Sequence, residues 1–288
     1  MKRLSLLLPV ILLLGLSAAS AHPGIGIVMD SKGNVYYTDL KHVWRISTDG
    51  TRSIVVRGVH THELYLDDKD NLFGEHLWYE GERTDKWGHR VWRLSSDGNL
   101  VDIIPALQGF LENYDDFHFA HDGKGASYWT VGGEVTTVRK RSPDGKVTTL
   151  ATYAFRNVRQ MTVAYDGTVY LVDLHDLLRI DADGTVQTVV KNLAERRRSF
   201  LLTVDPHAIM GLWMGPNGLV YAAVPSDGAV KRVHPDGRVE IAARSSFGWK
   251  PSGGLVAPNG ELWILEYSTI NAVRVRCIRT DGSSMIFD

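Results

Sequence analysis

The sequence has no pair of cysteines that could cross-link the chain, and it has almost no excess of either charge. It contains one cysteine, Cys277, so no disulfide can form within the chain. That thiol lies in a strand-like apolar run, which favours a buried structural position. The formal net charge of −1 gives no basic field, so we expect no nucleic-acid partner. Helical periodicity is weak throughout, which indicates β-structure.

Long apolar runs are missing except at the start of the chain. Lys2 and Arg3 precede an apolar run over residues 4–16, and residues 19–21 read Ala-Ser-Ala. This pattern predicts a signal peptide over residues 1–21 that is removed on export. The run is shorter than the roughly 20 residues of a membrane span, so we expect no stable span after cleavage. Residues 22–288 then form a periplasmic or secreted protein, which we expect to be a monomer.

One repeated pattern fills the rest of the chain. Asp-Gly follows an apolar and basic run six times, ending at Gly50, Gly98, Gly145, Gly184, Gly237 and Gly282. Such a dipeptide between alternating apolar residues is a strong hairpin signal. A second tight turn precedes each copy, so each copy predicts four strands, named A to D. Six copies of about 44 residues predict an all-β fold, a six-bladed β-propeller of four-stranded antiparallel blades.

The two ends of the chain predict how the ring closes, and one segment carries a family resemblance. Blade 1 starts with its own strand A and residues 283–287 supply strand D of blade 6, so we expect closure by face packing.

Residues 23–39 resemble an NHL-type repeat, and so do all six copies. NHL-like propellers include interaction modules, peptidylglycine amidating lyases and relatives of the senescence marker/gluconolactonase family. The resemblance therefore implies a fold for nearly the whole chain, and it leaves the function open.

Loop lengths predict which face of the propeller works. The long connections, 77–90, 104–116 and 190–208, all join strands B to C or D to A, which places them on one face. The innermost strands A begin on that face. Aligned by their turns, their first positions are Gly26, Glu63, His118, Gln160, Gly211 and Gly253. Blades 2 to 4 carry ionisable or amide groups where the others have glycine, which predicts a channel-mouth site on these blades.

The residues around that mouth predict a metal-assisted enzyme. Imidazole and carboxylate groups suit divalent metals, so the predicted metal ligands are His62, Glu63, His76 and His118. The expected cofactor is a divalent metal, zinc or calcium. The lyase resemblance implies histidine at the heads of inner strands, where His62 falls, and the gluconolactonase resemblance implies a cation-binding glutamate, which Glu63 matches. A metal-bound water with glutamate or histidine as base would then act on a small molecule as a hydrolase or lyase.

The remaining predicted site residues surround this set. The predicted catalytic residues are Glu63, His118 and Arg159, and the predicted ligand-binding residues are His62, Glu75, Trp78, Tyr79, Asp116 and Gln160. The aromatic pair would lie in the long blade 2 loop and stack on a sugar or peptide. His60 and His89 are expected to be solvated loop residues. The alternative that the sequence leaves open is a non-catalytic propeller that binds a small molecule, a peptide or a protein on its loop-rich face.

Overall fold

The structure is a computed structural model that describes residues 23–79, 87–108, 117–132, 134–194 and 207–288. The predicted signal peptide lies outside these residues. All regular structure in the described part is β-strand, and no helix there could cross a membrane. The strands of blades 1 to 3 are β1 (Ile27–Met29), β2 (Val35–Thr38), β3 (His42–Ile46), β4 (Arg52–Arg57), β5 (Leu64–Leu66), β6 (Leu72–Tyr79), β7 (Trp87–Leu94), β8 (Leu100–Gln108), β9 (Ala120–His121), β10 (Ser127–Val131), β11 (Thr136–Arg141) and β12 (Val147–Tyr153). Those of blades 4 to 6 are β13 (Val158–Val163), β14 (Val169–Asp173), β15 (Asp176–Ile180), β16 (Val186–Val190), β17 (Leu212–Met214), β18 (Val220–Val224), β19 (Ala229–Val233), β20 (Val239–Arg244), β21 (Trp249–Val256), β22 (Leu262–Ser268), β23 (Val273–Ile278) and β24 (Ser284–Phe287).

Each blade is an antiparallel meander of four consecutive strands, which confirms the predicted six-bladed β-propeller. Strands β1 to β4 form one sheet and β21 to β24 form another, with no strand shared between the two ends of the chain. The ring therefore closes by packing blade 6 on blade 1, as the sequence predicts. The first strand of every blade is innermost and lines the axis.

The predicted Asp-Gly turns form in all six blades. Their glycines adopt φ angles between +84° and +91°, a region that residues with a Cβ rarely enter. In blade 1 the amide of Gly50 donates to the carbonyl oxygen of Ser47 over 2.8 Å and closes the turn. These turns fix the register of the outer hairpin in each blade. Because the register is the same in every blade, side chains at equivalent positions face the next blade around the ring.

Clusters of buried apolar side chains join neighbouring blades. Among the described residues such clusters join blades 1 and 2, 3 and 4, 4 and 5, 5 and 6, and 6 and 1. Cys277 is fully buried in the closing cluster between blades 6 and 1. Burial raises the pKa of its thiol to about 12, as expected for a structural cysteine. No buried apolar cluster of described residues joins blades 2 and 3.

Blade 2 differs from the sequence prediction in the length of its strands. The second strand, β6, continues to Tyr79, and the third strand, β7, begins at Trp87. Residues 77–79 and 87–90 of the predicted loop therefore belong to strands, and residues 80–86 lie outside the described part of the chain. Trp78, Tyr79 and His89 lie on strands, so their assignment to a loop was wrong. The hairpin is longer than the turn pattern predicts because both strands keep pairing beyond the repeat, with Tyr79 opposite Trp87.

Candidate functional site

The first positions of the six inner strands meet around the propeller axis. All six of the aligned positions, Gly26, Glu63, His118, Gln160, Gly211 and Gly253, line one central cavity of about 420 Å³. The ring is asymmetric. Blades 5, 6 and 1 present glycine to the cavity, whereas blades 2, 3 and 4 present a carboxyl group, an imidazole and an amide. Any chemistry of side chains at this level is therefore confined to one half of the ring.

The glycines of the other half are required by close packing of backbone on backbone. A Cβ added at Gly253 would lie 2.1 Å from the carbonyl oxygen of Ile25 in blade 1. A Cβ at Gly211 would lie 2.5 Å from the carbonyl oxygen of Ser252 in blade 6. These contacts also show that the side chain at this position is directed towards the next blade. Glu63 occupies the same position in blade 2, so its side chain is directed towards blade 3.

Glu63 is the carboxyl group with the most unusual environment in the cavity. The paired residues Leu64 and Gly74 set Glu63 opposite Glu75 when the register is continued by one residue. No hydrogen bond or ion pair with a described residue holds the Glu63 side chain. Burial raises its pKa to about 7, the negative charge of Glu75 adds to the rise, and His62 opposes it. Glu63 can therefore exchange a proton near neutral pH.

Glu75 is the buried partner that sets this electrostatic environment. Only 3% of its surface is exposed. Its Oε1 lies 3.4 Å from Nδ1 of His62, and its Oε2 lies 3.9 Å from Nε2 of His89. The backbone amide of His62 also donates to Oε1 over 3.4 Å. Glu75 thus lies between two imidazoles, on the same face of blade 2 as Glu63.

His89 is the site residue that the sequence prediction missed. It is buried on β7, whereas we expected a solvated loop residue. Burial lowers the pKa of its imidazole, and the charge of Glu75 opposes that shift. The alternation of side chains along a strand could have identified it. His89 and Val91 are two residues apart on one strand, so they lie on the same face, and both side chains are buried.

Blades 3 and 4 supply the other two polar groups of the cavity. The ring of His118 is buried and stacks on Trp129, with centroids 4.0 Å apart and planes 5° apart. This stacking fixes the orientation of the imidazole. Gln160 is partly exposed to the cavity, and among the described residues no hydrogen bond to its side-chain amide is present. It can therefore donate to or accept from a ligand.

Three further predicted site residues, His76, Trp78 and Tyr79, do not line the cavity. The ring of His76 stacks on Trp78, and Nδ1 of His76 accepts the amide of His60 over 2.8 Å. Because His76 follows Glu75 on one strand, it is on the opposite face of blade 2. Trp78 covers the glycine at position 88, and Tyr79 is 41% exposed beyond it.

Arg159 and Asp116 are the other two predicted residues. Arg159 is exposed, because a bulge between Val158 and Gln160 turns it out of the strand register, and it does not line the cavity. Asp116, predicted to bind ligand, lies outside the described residues. Their catalytic and binding roles remain predictions.

The four predicted metal ligands do not come together in the described part of the chain. Within the described ranges no three histidine, cysteine, aspartate or glutamate side chains converge closely enough to hold one. Of the predicted ligands, His62 and Glu63 are neighbours, His118 is stacked on Trp129, and His76 is on the opposite face of blade 2. The glycine half of the ring offers no side-chain donor. The zinc or calcium site expected from the sequence is therefore not assembled from these ligands.

Comparison with known proteins gives a fold relationship. No protein-family model matches the chain, so the NHL-repeat assignment remains a prediction, and no curated protein matches it either. Solved structures do match. The chain is 13% identical to virginiamycin B lyase from Staphylococcus aureus, with a TM-score of 0.53 over 92% of this chain and 84% of that one. It is 14% identical to the calcium-binding protein regucalcin from Agrobacterium tumefaciens, with a TM-score of 0.54 over 92% and 90% of the two chains. It is 12% identical to a gluconolactonase from Xanthomonas campestris, with a TM-score of 0.56 over 84% of both chains. At these identities the likeness establishes the six-bladed propeller fold and nothing finer.

Proposed function

We propose that the mature protein is an exported hydrolase or lyase that acts on a small molecule in the central cavity, with Glu63 as the general acid and base. The observation that carries this proposal is Glu63 itself. It is a cavity carboxyl group with a pKa of about 7 and no hydrogen-bond partner among the described residues. A group whose pKa lies near the working pH transfers protons most efficiently, and such pKa values are concentrated at active sites.

The neighbouring groups support a division of roles. The Glu63 carboxylate takes a proton, either from a water that attacks a carbonyl carbon or from a carbon next to a leaving group. The protonated Glu63 then returns that proton to the departing oxygen. His118, fixed on Trp129, and the amide of Gln160 orient the substrate from blades 3 and 4. Glu75 acts through Glu63, because its charge raises the pKa of the Glu63 carboxyl.

The names of two similar structures suggest the first substrates to test. One acts on virginiamycin B and the other on a gluconolactone by name. The experiment incubates the mature protein with glucono-1,5-lactone and, separately, with virginiamycin B, and follows acid release and product mass. Glu63→Gln is expected to lower the rate about a hundredfold or more, because general acid–base catalysis contributes about 10²–10⁴-fold. Glu134→Gln, on an exposed loop, is the matched control and should retain the rate.

Metal content of the purified protein is measured alongside. A stoichiometric metal that is lost in Glu63→Gln would contradict the assignment of Glu63 as a free acid and base, and would return it to the metal-ligand role that the sequence predicted. A rate that is equal in the wild type and Glu63→Gln would also contradict the proposal.

Ligand binding without chemistry is the second candidate, and one observation favours it. Much of the cavity wall from blades 2 and 3 is aromatic, including Tyr65, Phe117, Phe119 and Trp129. Aromatic walls are as typical of binding sites as of active sites. Binding of either compound with no product formed would support this candidate.

A further inference from the structure

The interface between blades 2 and 3 is built differently from the other five. Each of the other five has a cluster of buried apolar side chains, and in each of them the inner strands of the two blades pack on each other. Between blades 2 and 3 the described residues form no such cluster, and the inner strands β5 and β9 are not packed in this way. We call the half-buried rings Tyr65, Phe73, Phe117, Phe119 and His121 at this interface the aromatic seam.

Glu63 lies at the head of β5, at the edge of this interface. Where blades 5, 6 and 1 have a glycine at which an added Cβ would clash with the next blade, blade 2 has Glu63. Its side chain is directed towards blade 3, as the glycine contacts at the equivalent positions indicate. The strands stay apart, and rings from both blades enter the gap.

The rings of the aromatic seam are stacked across the two blades. Tyr65 stacks on His121 with centroids 3.8 Å apart and planes 12° apart, and Phe73 stacks on Phe117 with centroids 5.4 Å apart. Phe117 and Phe119 meet edge to face at 5.0 Å. Four of the five rings, all except Phe73, also line the central cavity. The seam is therefore a wall of the same cavity that contains Glu63.

We propose that the aromatic seam binds a flat aromatic ring of the small molecule that occupies the cavity. Rings prefer stacked or edge-to-face partners, and the seam offers both geometries beside a titratable carboxyl group. The opposite wall includes Gly211, Gly253 and Gly254, which have no side chain to fill the cavity beside such a ring. The substrate role of this ring rests on the proposed function, whereas ring binding itself requires no turnover.

The test measures binding of 4-fluorobenzyl alcohol to the mature protein by fluorine NMR, with cyclohexylmethanol, which carries no fluorine, added as a non-planar competitor of similar size. We expect a dissociation constant of about 10 mM or tighter, which is attainable for a probe of this size. Phe117→Leu and, independently, Phe119→Leu should weaken binding about threefold to tenfold, the range for loss of one aromatic contact. Phe247→Leu, a fully exposed phenylalanine on another blade connection, is the matched control and should not change it.

Three results would overturn the inference: no binding by the wild type, equal binding of the two alcohols, or equal loss in the control variant. Two seam variants are used because one of them could fail to fold, which circular dichroism reports. Glu63→Gln separates the two proposals. Retained ring binding in a variant without activity supports both, whereas ring binding by a wild type that turns over neither test substrate supports the seam and contradicts the tested activity.

Discussion

The two halves of the central ring use one backbone position for opposite purposes. In blades 5, 6 and 1 that position is glycine, and the inner strand of the next blade rests directly on it. In blades 2, 3 and 4 it carries Glu63, His118 and Gln160, which line the cavity. In one half this position brings the backbones of neighbouring blades into close contact, and in the other half it presents a polar side chain to the cavity. A repeat fold can therefore keep the same inner strand in every blade while one residue per blade changes the surface of the cavity.

The largest effect should come from adding a side chain to the glycine half. Gly253→Ala would place a Cβ 2.1 Å from the carbonyl oxygen of Ile25, and neither backbone can move aside without separating blades 6 and 1. We expect a loss of about 3 kcal/mol in the free energy of unfolding, measured by urea denaturation, because overpacking against backbone is costly. Gly132→Ala is the matched control, since nothing lies within 4 Å of the added atom. Equal stability of the two variants would refute the assignment of Gly253 as a contact between blades.

Removing the charge of Glu63 should stabilise the protein at high pH. The folded-state pKa of Glu63 is raised from 4.5 to about 7, so the folded protein binds more protons than the unfolded chain between these values. The wild type therefore loses stability as the pH rises through this window. Glu63→Gln should be more stable than the wild type by about 2–3 kcal/mol at pH 8, with the difference vanishing towards pH 4.

The measurement is urea denaturation of both proteins across that pH range, with Glu134→Gln as the control on an exposed loop. A stability difference between wild type and Glu63→Gln that does not depend on pH would show that the Glu63 pKa is close to its ordinary value.

The fold could be predicted from the sequence because its signals are local. Each Asp-Gly turn has its own φ requirement, so six turns identify six hairpins without knowledge of long-range contacts. The ring positions follow by counting back from the turns, which is why Glu63, His118 and Gln160 were found. Counting fails where the register changes. The bulge at Arg159 turns that side chain outwards, and no turn signal announces it.

The local environment of the site could not be predicted, since it depends on contacts between strands that are distant in sequence. The extension of β6 and β7 beyond the repeat buries His89 beside Glu75. His76 was grouped with the cavity residues on the basis of proximity in sequence, although alternation on β6 directs it to the other face. The absence of a buried apolar cluster of described residues between blades 2 and 3 is recognised only when all six interfaces are compared.

A smaller change should sharpen the link between Glu63 and Glu75. Glu75→Gln removes the negative charge opposite Glu63 and weakens the contact with His62, at a cost of about 1–2 kcal/mol in the free energy of unfolding. The pKa of Glu63 should fall from about 7 and stay above its ordinary value, because burial is the larger cause of the rise. Carbon NMR of labelled glutamate carboxyl groups measures this titration. An unchanged pKa would mean that burial alone sets it.

The smallest effect on stability should come from replacing Gln160 with glycine, the residue that blades 5, 6 and 1 have at this position. Gln160 faces the cavity without a side-chain hydrogen bond to a described residue, so Gln160→Gly removes no internal contact of that amide. We expect a loss of only about 0.5–1 kcal/mol in urea denaturation, from the greater freedom of glycine in the unfolded chain. Turnover or ligand affinity should fall by more than stability implies, because the amide is assigned to the ligand. A large loss of stability with unchanged ligand affinity would show that Gln160 serves packing and does not bind the ligand.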